Sequence, residues 1–547
     1  MRNRRSGREP PSMVSTAPRP EHRRAPRPAP NSTNRDAVAA LAADLADAHY
    51  RVDDVEHLLG PVAAAALHRG RRAPAIRVLD AVSPTHLATL VRLFLLGQHV
   101  DAGLLDDALP RTGVAGAVEL AVIDSSGRAN IDLRPYSVVD ELGVGQWWIA
   151  SDLGELDTDG PLPTDHVLGV GGATTTLAGL LITDPVTTAL DLGTGCGVLA
   201  LHASRFATRV VATDLSPRAI EFARFTAALS GVDHIEFRVG DLFAPVSGEQ
   251  FDRILSNPPF VITPRAAGVP EYDYRDGGMV GDTLVAAVVR GVGDVLAPGG
   301  IAQLLGNWED RIASDGTVHD GLDRVAEWVA EAGLDAWVVE RDRQDPSEYA
   351  QLWIRDGGTT AGTAADALEA AWLDDFEHRG VTGIGFGSIA LRRSLEHPAQ
   401  QQPRLRRFER LTGPIGGSVG AAIRSGFVAA DALAGVDNDG LALATATVAD
   451  DVTEERHHWP GAADPTVILL RQGSGYARTI QVGTAVAAVV GACDGDLPIG
   501  VLCDAVAQVM DVDAAALRAE VLPEIRELAV AGLLSITSTT AQTTAQN

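Results

Sequence analysis

The stretch TTALDLGTGCGVLAL (residues 187–201) constrains the fold of this 547-residue chain more than any other stretch. An apolar strand pattern runs into Asp191, glycines follow at positions 193, 195 and 197, and a helical pattern begins directly afterwards. Glycines at this spacing allow a tight turn and let a ligand touch the main chain, and the helix start offers free N–H groups. The pattern predicts a ligand-binding turn at the carboxyl end of a parallel strand.

Strand and helix patterns alternate from about residue 160 to residue 356. The segments predicted as strands are TTAL, RVVATD, IEFRVGD, DRILSN, IAQLLGNW, DAWVVER and YAQLWIRD. Such alternation is typical of a doubly wound, mainly parallel sheet. The last two segments lie close together in the chain, which predicts an antiparallel hairpin at one edge of a seven-stranded, Rossmann-like α/β sheet in a domain spanning 160–356.

Two winged-helix-like α+β domains are predicted to flank this sheet. Residues 36–154 combine helical patterns with two strand patterns around a Ser-Ser-Gly turn, and residues 363–537 end in three helices closed by a short strand. Winged helices bind nucleic acids or other proteins, and the absence of a basic recognition helix in 36–154 slightly favours protein binding. Residues 1–35, which are basic and rich in Pro and Arg, and residues 538–547 are predicted to be disordered tails.

The chemistry of the glycine turn favours a cationic ligand over a dinucleotide or a nucleoside triphosphate. The dinucleotide fingerprint requires glycine where Val198 stands, and a phosphate-binding P-loop requires lysine, which the chain lacks entirely. Asp191 would repel a pyrophosphate but suits an ammonium group. S-adenosylmethionine carries an ammonium group and no phosphate, so Asp191, Gly193, Gly195 and Gly197 are predicted to bind this cofactor.

Two further acids end the next two predicted strands. Asp214 and Leu215, in ATDLSP, are predicted to bind the cofactor, and Asp214 is predicted to accept hydrogen bonds from its ribose hydroxyl groups. Asp241, in GDLF, is predicted to accept from the adenine amino group, with Leu242 against the ring. One acid at a strand end is usually a helix cap. Three acids at three successive strand ends favour a cofactor site, because ligands of open α/β sheets bind there.

The fourth predicted strand ends in SNPPF (residues 256–260), where proline cannot extend a central strand. Asn257 supplies a side-chain oxygen and Pro258 a main-chain carbonyl, and two rigid acceptors can hold both hydrogens of a planar NH2 group. Pro259 stiffens the turn, and Phe260 is predicted to stack on the planar group. These four residues are the predicted catalytic residues, and Asn257 is also predicted to adjoin the cofactor.

Together, DLGTGCGVLAL, ATDLSP, GDLF and SNPPF resemble the class I S-adenosylmethionine-dependent methyltransferases, and more narrowly their N-P-P-[FY] branch. That branch includes adenine-N6 and guanine-N2 methyltransferases of nucleic acids and glutamine-N5 methyltransferases of release factors. NPPFVITP is similar to the eukaryotic-type release-factor enzymes, which usually carry tyrosine where Phe260 stands. The arrangement of domains resembles multi-domain actinobacterial small-methyltransferase proteins. The resemblance also implies that residues 168–181 fold over the cofactor.

This resemblance implies an N-methyltransferase with a macromolecular substrate, and two substrate classes stay open. Phe260 and the nine arginines in the first 35 residues favour an exocyclic nitrogen of a nucleic-acid base, above all in rRNA, which is the first prediction. The net charge of −27 includes +7 from those 35 residues, so the remainder carries −34 and repels nucleic acid. That charge favours the alternative, a glutamine of a release factor or another protein. A cofactor-binding regulatory protein without turnover is a third reading.

Three weaker patterns are interpreted as structural: a Gly-x-Ser-x-Gly match at 416–420, two histidines at 457–458 and two tryptophans at 147–148. Arg275 and Asp282 follow the N-P-P motif and are predicted either to line the substrate mouth or to form a loop and helix start.

The composition predicts a cytoplasmic protein that needs neither metal nor membrane. The three cysteines lie outside the spacings of disulfide frameworks and zinc sites. No apolar run approaches the ~18 residues that a membrane span requires.

Overall fold

The computed structural model describes residues 27–154, 162–266, 268–359, 362–395 and 405–537. The predicted tails at 1–26 and 538–547 therefore lie outside the described residues. Residues 27–34 were also predicted to be disordered, but they make specific contacts. The Asn31 amide donates to the Leu120 carbonyl at 2.9 Å, and the Asn34 side chain accepts from the Ala37 amide at 3.1 Å, which caps the first helix.

The N-terminal part consists of helices followed by a β-hairpin. Its helices are α1 (Arg35–Asp47), α2 (Val52–His68), α3 (Ala73–Asp80), α4 (His86–Leu90, continued by a π-helical turn, Val91–Leu95), α5 (Ala102–Ala108) and α6 (Gly113–Glu119). Its strands are β1 (Ile131–Asp140) and β2 (Gly143–Asp152), which pair antiparallel.

The position predicted for this hairpin is wrong. Within the described residues, the Ser-Ser-Gly turn is flanked by a single bridge between Ile123 and Ala129. The hairpin reverses at 141–142, where Gly143 has a φ of +89° and the Asp140 side chain accepts from the Leu142 amide at 2.9 Å. A positive φ and an Asx-type contact form a tight turn there without the usual turn dipeptides.

Nine strands of the described chain form the central sheet. The strands after the hairpin are β3 (Val186–Leu192), β4 (Ala207–Asp214), β5 (Ile235–Val239), β6 (Phe251–Ser256), β7 (Leu296–Ile312), β8 (Val318–His319), β9 (Asp335–Gln344), β10 (Val381–Arg392) and β11 (Arg406–Arg410). The spatial order is β11-β9-β10-β7-β6-β3-β4-β5, and β8 pairs with the end of β7. Strands β3 to β7 are parallel, whereas β10 is antiparallel to both of its neighbours.

Seven helices of the described chain connect these strands or pack on them. They are α7 (Gly172–Gly179), α8 (Val198–Ala203), α9 (Pro217–Leu229), α10 (Thr283–Val295), α11 (Gly321–Ala332), α12 (Pro346–Asp356) and α13 (Thr363–His378). The predicted Rossmann-like α/β sheet is therefore confirmed, but its predicted count of seven strands is too low.

The segment YAQLWIRD, predicted as the last strand, is helix α12. Asp345 accepts from the Ser347 and Glu348 amides, and Glu348 completes a capping box, so a strong helix start overrides the apolar alternation. The antiparallel neighbour of β9 is instead β10. The sheet consequently extends beyond residue 356, the predicted end of its domain.

The C-terminal part adds two small sheets and further helices. Its elements are α14 (Val419–Leu433), α15 (Asn438–Leu443), β12 (Thr445–Val448), β13 (Val452–His457), β14 (Val467–Gln472), β15 (Thr479–Val482), α16 (Thr484–Gly491), β16 (Asp494–Pro498), α17 (Ile499–Met510), α18 (Ala514–Val530) and β17 (Leu534–Thr537). The sheets are β16-β12-β17 and β13-β14-β15. Helices α16 to α18 and strand β17 lie where three helices and a strand were predicted; the winged-helix type of both flanking parts stays a prediction.

Candidate active site

The turn after β3 forms an open cradle. Gly193 and Gly195 have φ values of +76° and +53°, and a Cβ added at either would meet no atom of the described chain within 4 Å. Gly197, with a φ of +91°, is packed: its Cβ would lie 3.1 Å from the Ala223 Cα of helix α9. The first two glycines thus leave space for a ligand, and the third permits close packing of helices.

Asp191 is fully buried beneath this cradle. Its Oδ2 accepts from the Thr194 hydroxyl at 2.6 Å, whereas its Oδ1 has no hydrogen-bond partner among the described residues. Burial raises the pKa of Asp191 to about 7. The Thr194 hydroxyl and the Ala200 amide lower this pKa, and the charge of Asp214 raises it further. A buried carboxylate with a free oxygen favours a cationic ligand.

Asp214 ties the end of β4 to the glycine turn. Its Oδ2 accepts from the Gly195 amide and its Oδ1 from the Ser216 amide, both at 2.9 Å. A carboxylate has further lone pairs, so both oxygens can still accept from hydroxyl groups. Burial raises the pKa of Asp214, the two amides lower it, and Asp273 raises it further. The adjoining Leu215 is 69% exposed, which leaves an apolar side chain beside the cradle.

The third predicted acid, Asp241, is exposed beyond the end of β5. Leu242 follows with a φ of +42°, which is uncommon for a leucine, and is half-buried. Strands β3, β4 and β5 are parallel neighbours, so the structure brings the three predicted acids to one edge of the sheet. This is the edge at which open α/β sheets bind ligands.

SNPPF lies at the same edge, because β6 is the other neighbour of β3. The Ser256 hydroxyl donates to the Leu192 carbonyl at 2.8 Å, which joins the two strand ends. The Asn257 Nδ2 donates to the Thr174 hydroxyl of α7 at 3.2 Å, and its buried Oδ1 has no partner within the described chain. Pro258 is buried, and no described group donates to its carbonyl. Two acceptors of the predicted type are therefore available.

Phe260 is half-buried, like Pro259, and its backbone pairs with that of Asp276. Asp276 is buried, and its carboxylate accepts from the Thr263 hydroxyl and from the Tyr272 amide. The loop around residues 270–276 consequently folds back onto the N-P-P-F turn and fixes the main chain at Phe260.

Arg275 belongs to this loop and Asp282 does not face it. The Arg275 guanidinium donates to the Trp353 carbonyl and to Asp356, each at 2.9 Å, and lies 4.6 Å from the Tyr272 ring centroid. Asp282 accepts from Arg324 at 2.7 Å inside a buried ion-pair network. Arg275 therefore holds its loop against helix α12, and Asp282 stabilises the fold through its ion pairs.

Ser418 and the two tryptophans make capping or packing contacts, and His457 and His458 are exposed. The Ser418 hydroxyl accepts from the Ala421 amide at 3.1 Å and caps α14. The Trp147 ring lies 5.3 Å from that of His202, and the Trp148 Nε1 donates to the Tyr50 carbonyl at 2.7 Å. Over the described ranges, no group of three or more His, Cys, Asp or Glu side chains is placed to hold a metal. No helix there has the length and apolar character needed to cross a membrane.

Sequence reasoning missed Thr194 and Thr174. Thr194 stands between two of the quoted glycines, three residues after Asp191, so its hydrogen bond to that carboxylate was within reach of the local pattern. Thr174 is the first of three consecutive threonines and lies 83 residues from Asn257 in the chain. Nothing in the sequence distinguishes it from Thr175 or Thr176.

Residues 169–268 match the family described as methyltransferase small domain, and residues 47–134 match a domain of unknown function (DUF7059). The chain is 39% identical over 156 residues to a release factor glutamine methyltransferase of Cereibacter sphaeroides, a match that covers 26% of this chain and 56% of that protein. It is 32% identical over 186 residues to a ribosomal protein uL3 glutamine methyltransferase of Bradyrhizobium diazoefficiens, covering 29% of this chain and 56% of that protein. The chain thus spans about half the length of these two relatives.

Among solved structures, the chain resembles a ribosomal protein L11 methylase from Lactobacillus delbrueckii subsp. bulgaricus. The two are 20% identical, the overlap covers 41% of this chain and 80% of that one, and the TM-score is 0.24.

Proposed function

We propose that this chain, whose residues 169–268 belong to the class I S-adenosylmethionine-dependent methyltransferases, methylates the side-chain nitrogen of a glutamine in a protein of the translation machinery. One observation carries the proposal: the Asn257 Oδ1 is a buried acceptor that no described residue satisfies, at the sheet edge shared with Asp191. The relatives named as glutamine methyltransferases of release factors and of ribosomal protein uL3 favour glutamine over the nucleic-acid base that the sequence analysis placed first.

The residues at the sheet edge fit S-adenosylmethionine, which supplies an electrophilic methyl group on a sulfonium when bound. Asp191 would receive the ammonium group, because its buried Oδ1 lacks a partner in the described chain. Gly193 and Gly195 leave open space above the main chain. Asp214 would accept from the ribose hydroxyl groups and Asp241 from the adenine amino group, as the sequence predicts.

Two apolar side chains complete this assignment. Leu215 is exposed beside Asp214, and burying an exposed leucine against a bound adenosine would be favourable. Leu242 follows Asp241 in the conformation described above and would lie against the adenine ring.

The Asn257 Oδ1 and the Pro258 carbonyl would accept the two hydrogens of the glutamine amide. An amide nitrogen is a poor nucleophile because its lone pair is delocalised into the carbonyl. Two fixed acceptors favour a geometry in which the lone pair leaves that plane, and Pro259 keeps them rigid so that little reorganisation is needed. Phe260, fixed by its pairing with Asp276, would pack against the planar amide. Catalysis then rests chiefly on positioning.

The charge of the molecule supports a protein substrate. The chain carries a net charge of −27, and an acidic surface repels the phosphates of RNA but attracts basic proteins. A base of rRNA remains the second candidate, favoured by Phe260 and by the arginine-rich first 35 residues, since both substrates present a planar NH2 group.

The test is transfer of label from tritiated S-adenosylmethionine into fractionated extract of a strain that lacks this protein. We expect label in one protein, in a peptide whose methyl group maps to glutamine. Label in RNA would overturn the glutamine proposal in favour of the base, and absence of label would overturn both and support a binding protein without turnover.

Asn257→Ala is the matching variant. We expect it to retain cofactor affinity within about twofold and to lose roughly 100-fold or more in kcat, since it removes a fixed acceptor. Asn438→Ala, at an exposed position of α15, is the control and should transfer methyl groups normally. Unchanged turnover in Asn257→Ala would contradict the role given to this side chain.

A further inference from the structure

We propose that Thr174 is a positioning residue: its hydroxyl orients the Asn257 carboxamide so that the Oδ1 faces the methyl-accepting nitrogen. This inference rests on the proposed function, because it takes Asn257 as an acceptor for the hydrogens of an NH2 group.

A carboxamide has a donor end and an acceptor end of nearly equal size, so the partners at its two ends together fix its orientation. The Nδ2 of Asn257 donates to the Thr174 Oγ1 at 3.2 Å, at the long end of the normal range. The opposite atom, Oδ1, is then buried with no partner in the described chain. With an NH2 group bound against it, this is the orientation in which both ends of the carboxamide have complementary partners.

The helix that carries Thr174 is fixed to the sheet beside the N-P-P-F turn. The buried Gln303 side chain of β7 donates to the Leu180 carbonyl at 2.6 Å and accepts from the Ile182 amide at 2.8 Å, which holds the chain just after α7. In the sheet register, Gln303 pairs with Leu255, two residues before Asn257. A single buried side chain thus sets the distance between α7 and the end of β6.

Removal of the Thr174 hydroxyl would leave the Asn257 Nδ2 without its acceptor. The carboxamide would then lose the hydrogen bond that holds its plane, which leaves a donor unsatisfied and the Oδ1 less well aimed at the NH2 group of the substrate. We therefore expect Thr174→Val, which keeps the shape of the side chain, to lower kcat about 10- to 100-fold. Thr174→Ser, which keeps the hydroxyl, should restore kcat to within about threefold of the native value.

The threonine run supplies a matched control. Thr176 is exposed on the same helix, two residues away, so Thr176→Val makes the same chemical change without touching Asn257. The Michaelis constant for S-adenosylmethionine should be unchanged in all three variants, and the thermal midpoint should be unchanged in Thr174→Ser and Thr176→Val. A drop in kcat for Thr176→Val equal to that for Thr174→Val would overturn the inference, because the effect would then belong to the helix.

A readout that needs no turnover separates this inference from the proposed function. In the full-length protein, the side-chain NH2 resonance of Asn257, assigned by its loss in Asn257→Asp, should show slowed hydrogen exchange. Thr174→Val should accelerate that exchange, whereas Thr174→Ser and Thr176→Val should not. Equal exchange in native protein and Thr174→Val would overturn the inference whatever the substrate proves to be. Label in RNA in place of protein would overturn the glutamine assignment alone, since a base amino group also carries two hydrogens.

Discussion

At the level of single residues, the candidate site contains two buried polar atoms that folding leaves unsatisfied. The Asp191 Oδ1 and the Asn257 Oδ1 are both buried, and no described residue donates to either. Each such atom lowers stability by about 1–3 kcal/mol unless a ligand satisfies it. Both lie at the carboxyl edge of adjacent strands, where a cation and an NH2 group can satisfy them.

The pKa of Asp191 makes cofactor binding dependent on pH. Because the pKa is raised to about 7, the carboxyl is largely protonated at pH 5.5 and must lose its proton to hold an ammonium group. We expect S-adenosylmethionine to bind about tenfold more tightly at pH 7.0 than at pH 5.5, with release of protons on binding. Titration calorimetry in two buffers of different ionisation enthalpy measures both quantities.

Asp191→Asn is the control for this titration. It should bind the cofactor weakly at every pH and release no proton at this site. The folding stability of the unliganded protein should change with pH in the opposite direction to cofactor affinity. A carboxyl whose pKa is raised by folding adds stability below its unfolded pKa and loses it as pH rises through about 7, so Asp191→Asn should be the more stable protein at pH 8. Cofactor affinity of the native protein that is flat between pH 5.5 and 7.0 would contradict the assignment.

Sequence patterns at this scale identify the residues whose chemistry is local. Asp191 and its glycines form one short stretch and SNPPF forms another, so the spacing within each predicts a strand end, an open turn and rigid acceptors. Thr174 and Asp276 act through contacts with residues that are distant in the chain or hidden in a loop, and no local pattern marks them. The predicted roles of all these site residues, Asp241, Leu215 and Leu242 included, stay predictions.

At the level of elements, capping and turn residues explain why two predictions of secondary structure were wrong. Apolar alternation in YAQLWIRD predicts a strand, but Pro346 after Asp345 and a capping box begin a helix there. The hairpin of the N-terminal part was predicted at the wrong position, because the Ser-Ser-Gly stretch is a stronger turn signal than the residues before Gly143, where the chain reverses.

Two interpretations of Ser418 can be tested against each other: a residue that caps a helix and a catalytic nucleophile. Its hydroxyl caps α14, so we expect Ser418→Ala to lower the free energy of unfolding by about 1 kcal/mol. Ser418→Asp, another good cap, should retain most of the stability. Urea denaturation of the three proteins measures the difference.

Gly-x-Ser-x-Gly is also the pattern that surrounds the nucleophilic serine of many hydrolases, and that interpretation predicts a different result. A serine nucleophile would react with a fluorophosphonate probe, and Ser418→Ala would lose that label. We expect no labelling of the native protein at this position, since the hydroxyl is engaged by the Ala421 amide.

At the level of the whole molecule, the sequence predicts the class of sheet but not its extent. The strands from β3 to β7 alternate with helices and are read correctly in order, because each βα unit is local. Strand β10 enters between β7 and β9 only after two intervening helices, a pairing between segments far apart in the chain. Arg392 at its end pairs with Asp335 and Asp431, which binds the C-terminal part to the sheet.

This arrangement predicts how the chain tolerates truncation. A protein ending at residue 356 would lack β10, leaving β7 and β9 with unpaired edges in the interior of the sheet. We expect it to aggregate or to show no cooperative thermal transition by circular dichroism. A protein lacking only residues 538–547 should unfold like the full chain, and a monomeric, cooperatively folded 356-residue protein would contradict the topology.

The late position of β10 has a consequence during synthesis. The ribosome finishes β7 at residue 312 but completes β10 only at residue 392, about eighty codons later. At the usual elongation rate of about 5–20 residues per second, the nascent polypeptide waits roughly 4–16 s with an unpaired, aggregation-prone strand edge at the future centre of its sheet. A chaperone that shields extended segments would therefore be needed most in this interval, and slow codons between the two strands would prolong the hazard.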